Sequence, residues 1–227
     1  MKTGDNTRFL RLWWEVNYNM VNTTATSSQA AIASGMRWFP YNKGGDARKW
    51  YGNNEYIVNW ENGGKAIFQD AKKDKRNVQD YPETMKFAPS GTWSLISSGK
   101  PTFRYKEHNL SDIAGMSFYN GGDKTMYYIG FCNTIIAAEI LKLLAPTINY
   151  QAGDIGRLPI LFEDKRYNDV INSVKKCIGA AKEDWDMFET SWDFRKSPLI
   201  WRDDTLCSIY ENYQHEVSKR VDIVRNN

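Results

Sequence analysis

Histidine, cysteine and long apolar runs are all scarce in this chain of 227 residues, and each shortage removes a class of function. Only His108 and His215 are present. They stand far apart in sequence, so neither a histidine-based triad nor a histidine-rich zinc cluster is expected. Cys132, Cys177 and Cys207 are odd in number and lack C-x-x-C spacing, which argues against a disulfide framework and a zinc site alike. Mean hydropathy is −0.62, and no apolar run reaches the length of a membrane span. Met1-Lys2-Thr3-Gly4-Asp5 carries no apolar h-region, so no secretory signal and no membrane partner are expected, and a cytoplasmic, reducing setting fits. A glycine-rich phosphate loop ending in Lys-Ser/Thr is missing, as is a strand-linked G-x-G-x-x-G.

Aromatic residues are plentiful instead. They make up 14% of the chain, with 9 Trp and 13 Tyr, which is too rich for disorder. The net charge of +3 is unevenly divided. Residues 1–112 hold 16 Lys and Arg against 11 Asp and Glu, a balance of +5, and the remainder holds 14 against 16, a balance of −2. The basic excess falls in the half that holds the chain's most distinctive stretch, Arg37-Trp38-Phe39-Pro40-Tyr41-Asn42-Lys43-Gly44-Gly45-Asp46-Ala47-Arg48-Lys49-Trp50-Tyr51-Gly52-Asn53. Cations, rings and glycines alternate there. The composition reads as too polar for a core strand and too glycine-rich for a helix, with Asn42–Asp46 as a loop tip.

Further elements follow from periodicity. Asp5 or Asn6 is expected to cap a first helix carrying Phe9, Leu12, Trp13 and Val16. Asn19 to Ser34 reads as a loop, Glu55 to Trp60 as a strand, and Lys65 to Lys75 as a charged surface helix. Short strands are expected at 92–97, 102–105, 114–119 and 125–130, with turns at 98–101 and at Asn120-Gly121-Gly122-Asp123. A helix over about 133–144 stops at Pro146, and a turn then opens a short apolar run at 153–160. Two long helices are expected, Glu163 to Phe188 and Asp204 to Val224. The second carries a stripe of Leu206, Ile209/Tyr210, Tyr213, Val217, Val221 and Val224, suited to a helix-pair seam within the chain or with a second copy. The fold class is therefore α+β. A mixed, mostly antiparallel sheet domain over 1–160 is followed by a helical spacer or tail over 161–227.

Several motifs carry a resemblance. They are Gly4-Asp5-Asn6-x-Arg8-Phe9-x-Arg11-x-Trp13, the aromatic stretch continued through Asn54-Glu55, and Thr92-Trp93-Ser94. To these add Ala152-Gly153-Asp154-Ile155-x-Arg157-Leu158-Pro159 and Trp185-Asp186-x-Phe188-Glu189-Thr190-Ser191-Trp192-Asp193-Phe194. Together they resemble the C-terminal half of the PglX-type adenine-specific DNA methyltransferases of BREX phage-defence systems, over about residues 4–200. The Gly-Asp-Ile…Leu-Pro segment is also similar to target-recognition domains of type I and fused type II restriction-modification enzymes. The resemblance implies transfer of a methyl group from S-adenosylmethionine to adenine N6 in double-stranded DNA. It also implies an upstream catalytic domain and other defence-system proteins as partners. The Asn/Asp-Pro-Pro-Tyr/Phe motif and the glycine-rich cofactor loop of such enzymes are absent here. A DNA-reading piece without its own catalytic centre or cofactor is therefore expected.

On that reading Lys43, Arg48 and Lys49, with Lys72, Lys73, Lys75 and Arg76, would meet phosphates. Arg37, Asn42, Arg104 and the Asn53/Asn54 pair would read base edges. Trp38, Tyr41 and Trp50 would offer rings, and Gly44 and Gly45 would let the backbone approach closely. Packing is the competing role for Trp13, Trp38, Trp50, Trp60 and Trp93. Two other classes stay open on the residues alone. One is a carbohydrate-binding module. The other is a metal-dependent nuclease using Asp154 with Glu163-Asp164-Lys165.

Overall fold

A computed structural model describes residues 3–73, 80–119, 121, 122, 124–200 and 205–227. The N-terminal turn of helix is α1, Asn6–Phe9, capped by the Asp5 side chain, which accepts from Arg8 N–H. It stops there, because Leu10–Leu12 leaves as strand β1 and pairs with β3, Tyr56–Asn59. The longer helix expected through Val16 does not form. Ladder bonding to β3 takes Leu10 to Leu12, and tertiary pairing overrides the local apolar spacing. Within the stretch expected to be loop, Ser27 caps a short helix α2, Ser28–Ala33.

The larger departure is β2, Trp38–Asn42, in which every residue is buried. The first sheet has the order β1-β3-β2-β6, with β6 at Leu110–Ser111. β2 is therefore an inner strand, antiparallel to β3 and parallel to β6. Its composition reads as polar because Pro40 and Asn42 stand among its rings. Pairing with β6 begins only at Tyr41, so Pro40 leaves no ladder bond unmade on that side. Phe39, Tyr41 and Val58 pack with Phe9, Trp60 and Phe87 in the first core. Helix α3, Glu61–Lys73, opens with a left-handed turn at Asn62, Gly63 and Gly64 (φ 52°, 72° and 75°), so regular helix starts at Lys65, as its sequence predicts. Ile67 and Ala71 face this core.

The second sheet is β5-β4-β7, all antiparallel, built from β4 (Ser90–Ser94), β5 (Arg104–Lys106) and β7 (Gly115–Phe118). These are three of the four short strands the sequence predicts. The fourth is a helix, α4, Lys124–Cys132. Thr125, Ile129 and Cys132 lie on its buried side, and this helical spacing outweighs the β-favouring Tyr127-Tyr128-Ile129. Helix α5, Ile135–Leu144, is capped by Thr134. A five-residue helix α6, Ala152–Gly156, replaces the turn expected near 153.

Helices α7, Tyr167–Trp185, and α8, Leu206–Asn226, complete the α+β fold. Val174 of α7 sits in the second core with Trp93, Phe103, Ile129 and Leu141, so packing runs across residue 160. α8 lies on α7 and buries Ile209. Leu206 (81% exposed), Val221 and Val224 of the expected seam face outward. No single helix among the described residues is long and apolar enough to cross a membrane. Lys75, Arg76, Asn120, Asp123 and Asp204 lie outside the described residues.

Candidate nucleic-acid interface

The segment after β2 joins the two sheets, and that task occupies most of its polar atoms. Asn42 is wholly buried. Its amide nitrogen donates to Thr92 Oγ1 (2.5 Å) and Gly115 O (3.0 Å) of the second sheet, and its oxygen accepts from Gly44 N–H (3.3 Å). Gly44 (φ +82°) and Gly45 (φ +115°) are left-handed. A Cβ on Gly44 would lie 2.7 Å from Ala114 O, and one on Gly45 2.8 Å from Asn53 Nδ2. The close approach these glycines permit is thus to the protein's own backbone and side chains.

The cations of the loop are likewise committed. Lys43 pairs with Asp112, whose side chain is 4% exposed and also accepts from Tyr41. Burial, reinforced by the charge of Asp112, raises the Tyr41 pKa. Arg48 reaches Asp184 of α7 at 3.2 Å and lies over the Trp185 ring at 4.9 Å. Lys49 donates to Asn133 O at 3.0 Å, and burial, with nearby Lys100, lowers its pKa. Trp50 is held with φ +70° by two backbone bonds to β5 and its approach, Trp50 N–H to Phe103 O (2.9 Å) and Tyr105 N–H to Trp50 O (2.8 Å). A bulky residue rarely adopts that conformation, and the pairing enforces it.

Arg104 anchors the joint from the other side. It is completely buried, and its guanidinium donates to Arg48 O (3.2 Å), Asp46 O (3.4 Å) and Ser94 Oγ (3.2 Å). Burial lowers its pKa to about 10, which leaves it charged at neutral pH. Its neighbour Lys106 is buried too and donates to Asn53 O (2.5 Å) and to Asn54 Oδ1. Burial, then repulsion from Arg104, brings Lys106 down to about 7. Asn53 and Asn54 are buried as well.

The residues expected to touch nucleic acid therefore divide. Trp38, Tyr41, Asn42 and Arg104 have buried side chains, so the base-reading and ring-stacking roles expected of them are corrected to internal ones. Lys43, Arg48 and Lys49 have internal partners. Arg37 remains exposed, its guanidinium 5.3 Å from the Trp38 ring centroid. The carbonyl of the Asn59 amide, turned toward Arg37, accepts from its Nε and Nη2 at 3.2 Å each. Trp60 and Trp93 are core residues.

α3 is arranged the other way. Lys65, Gln69, Lys72 and Lys73 are all exposed, and their spacing of four, three and one puts them along one stripe of the helix. The opposite side holds Ile67 and Ala71 in the core. Asp70 pairs with Arg8 at the edge, so it does not cancel the lysine stripe. Charge counting along the sequence finds this helix, but the stripe needs the burial of Ile67 and Ala71 to define it. Asp154, the first residue of the nuclease spacing, accepts from Gln151 N–H at 3.0 Å as a helix cap. Among the described residues, no three His, Cys, Asp or Glu gather as metal ligands.

The class defined by this arrangement is an α+β body with an internal polar joint and a basic helix stripe. No protein-family model matches the chain. Over 237 aligned residues, covering all of its length, the chain is 33% identical to part of the adenine-specific methyltransferase PglX of Lacticaseibacillus casei (strain Zhang). Over 209 residues, 90% of its length, it is 34% identical to part of the adenine-specific methyltransferase BrxX of Escherichia coli O9:H4 (strain HS). The chain is homologous to a segment of these enzymes, and it spans only 19% and 16% of their lengths.

Proposed function

We propose that this chain is the DNA-holding and target-recognition part of an adenine-specific DNA methyltransferase of a phage-defence system. Methyl transfer and S-adenosylmethionine binding then belong to an upstream catalytic domain. The observation that carries the proposal is the identity, over 100% and 90% of the chain, to parts of two adenine-specific methyltransferases. The sequence motifs for flipped-adenine and cofactor binding are missing from the segment, which supports a division of labour. Lys65, Lys72 and Lys73 supply the phosphate contacts on this reading, and exposed Arg37 lies close by, since its carbonyl accepts from Trp60 N–H just before α3.

Duplex binding measured by fluorescence anisotropy over a series of salt concentrations tests this. Each phosphate neutralised contributes about 0.9 to the slope of log K against log salt. Lys65→Glu with Lys72→Glu and Lys73→Glu should weaken binding to every duplex and flatten that slope by roughly two to three units. Wild-type affinity and slope in the triple variant would remove α3 from the interface. Absence of any duplex binding would overturn the proposal itself. Calorimetry with S-adenosylmethionine should give no heat of binding, and micromolar binding would contradict the division of labour.

A further inference from the structure

The joint, β5 and α7 meet around a small cavity. A cavity of about 250 Å³ is lined there by Tyr51, Tyr56, Tyr105 and Trp192, with Glu107, His108, Asn109 and Lys182 among its polar walls. It is smaller than the roughly 300–1,000 Å³ usual for drug-sized ligands, which suits a single flat ring system. The aromatic residues among its walls favour a planar group, because stacking requires only a π-face.

The polar groups select further. Both lysines at the cavity already have partners. Lys106 is held by Asn53 O and Asn54 Oδ1. Lys182 is held by Asp186 and Asp193 and covers the Tyr51 ring at 5.3 Å. Burial lowers the Lys182 pKa, but the bonds to Asp186 and Asp193 outweigh it and the pKa is raised. One half-exposed carboxylate without a lysine partner, Glu107, remains at the walls beside the Lys182-bound Asp193. Glu107 Oε2 accepts from Tyr105 Oη (2.9 Å) and has lone pairs to spare. The His108 ring uses Nδ1 toward Ala25 O (3.0 Å), and its Nε2 lies 3.9 Å from Glu107 Oε2. His108 itself is held at φ +58°, a cost that persists only where the surroundings impose it. A phosphate would meet carboxylates here and no uncommitted cation. A plain hydrocarbon would leave the acceptors unmatched. A neutral heterocycle bearing an amino group meets both demands, with N–H groups for Glu107 and a face for Tyr56 and Trp192.

We propose that this cavity binds an amino-bearing nucleobase, edge toward Glu107 and face against Tyr56 and Trp192. Such a base has two sources: a free nucleoside, or a base extruded from the DNA strand. Extrusion rests on the DNA-binding reading above, whereas the cavity and its chemistry do not. Arg195 is exposed on the same loop, two residues past Asp193.

Saturation-transfer NMR of the whole chain with adenosine and with purine riboside tests the cavity directly, since the two differ by the amino group alone. Adenosine should bind and purine riboside should bind at least several-fold more weakly. Tyr56→Ala, at an exposed position, should reduce adenosine binding about tenfold at an unchanged melting temperature. Glu107→Gln should abolish the preference for adenosine. A second arm places 2-aminopurine at successive positions of a duplex and reads its fluorescence on adding protein. A rise at one position, lost in Tyr56→Ala, identifies an extruded base. Adenosine binding without duplex binding keeps the cavity and discards the DNA reading. Duplex binding with neither adenosine binding nor a 2-aminopurine signal overturns the cavity and leaves the DNA reading standing.

Discussion

Lys43, Arg48 and Lys49 each end on an oxygen or carboxylate of the protein itself, whereas Lys65, Lys72 and Lys73 stand exposed along one side of α3. The two groups are equally basic and lie within thirty-one residues of one another. They differ in what lies beneath. The loop after β2 spans the gap between two sheets, where unpaired carbonyls and amides would be costly, so its cations and Arg104 satisfy them. α3 has a single apolar side to bury, and its opposite side is free to carry charge. A cation near an aromatic or glycine is thus no guide to its partner until the burial of its neighbours is known.

The sharpest way to break this contrast is Arg104→Ala. It strips donors from Asp46 O, Arg48 O and Ser94 Oγ and leaves a hole between the sheets. A loss of about 3–5 kcal/mol is expected in denaturant unfolding, from buried acceptors left without a donor and the cavity left behind. An unchanged midpoint would mean the joint does not hold the sheets together.

Lys106 gives an effect of a different kind, through pH. Its folded pKa is about 7, below the roughly 10.4 of an unfolded lysine. Between these values the unfolded chain binds more protons, so stability rises with pH. Burial pushes Cys132 up to about 12 and Tyr51 up to about 12. Their neutral forms are favoured on folding, so they oppose the rise once the unfolded thiol and phenol ionise. The clean window is therefore pH about 7 to 8, worth about 1 kcal/mol per pH unit. Lys106→Met should flatten that part of the melting-temperature profile. A slope that survives the substitution would assign it to another group.

Asn42→Ala should cost about 1–3 kcal/mol, since Thr92 and Gly115 lose a buried partner. It should leave any duplex sequence preference intact. A variant that folds normally and loses sequence preference would return Asn42 to the interface. Smallest in stability, and opposite in kind, is the triple charge reversal on α3. Its melting midpoint should stay within about 0.5 kcal/mol of wild type, as for surface changes away from packing, while the salt dependence of duplex binding falls.

Much of the architecture was legible from local signals. The strand at Tyr56–Asn59, the helices near 65–73, 135–144 and 167–185, and most strands of the second sheet follow from periodicity, caps and turn residues. α4 was misread because Tyr127-Tyr128-Ile129 favours strand, and the contact with α7 that holds it as helix is remote in sequence. β2 was misread because its burial comes from β3 on one side and from β6, some seventy residues later, on the other. The candidate site suffered most. Every base reader expected in β2 or β5 turned out to be buried, while Arg37, Gly45 and Lys49 of the main set stay exposed.

By itself the sequence determined the α+β class, the charged helix α3 and the likeness to adenine-specific methyltransferases, because each is written in local spacing or in residue identity along the chain. Only the tertiary structure decided which cations are free. Whether Lys43 meets Asp112 or a solvent-borne anion depends on the parallel return of β6 beside β2. Whether Tyr56 and Trp192 share a cavity depends on the path of α7 back across the joint, and neither long-range closure leaves a local trace in the chain.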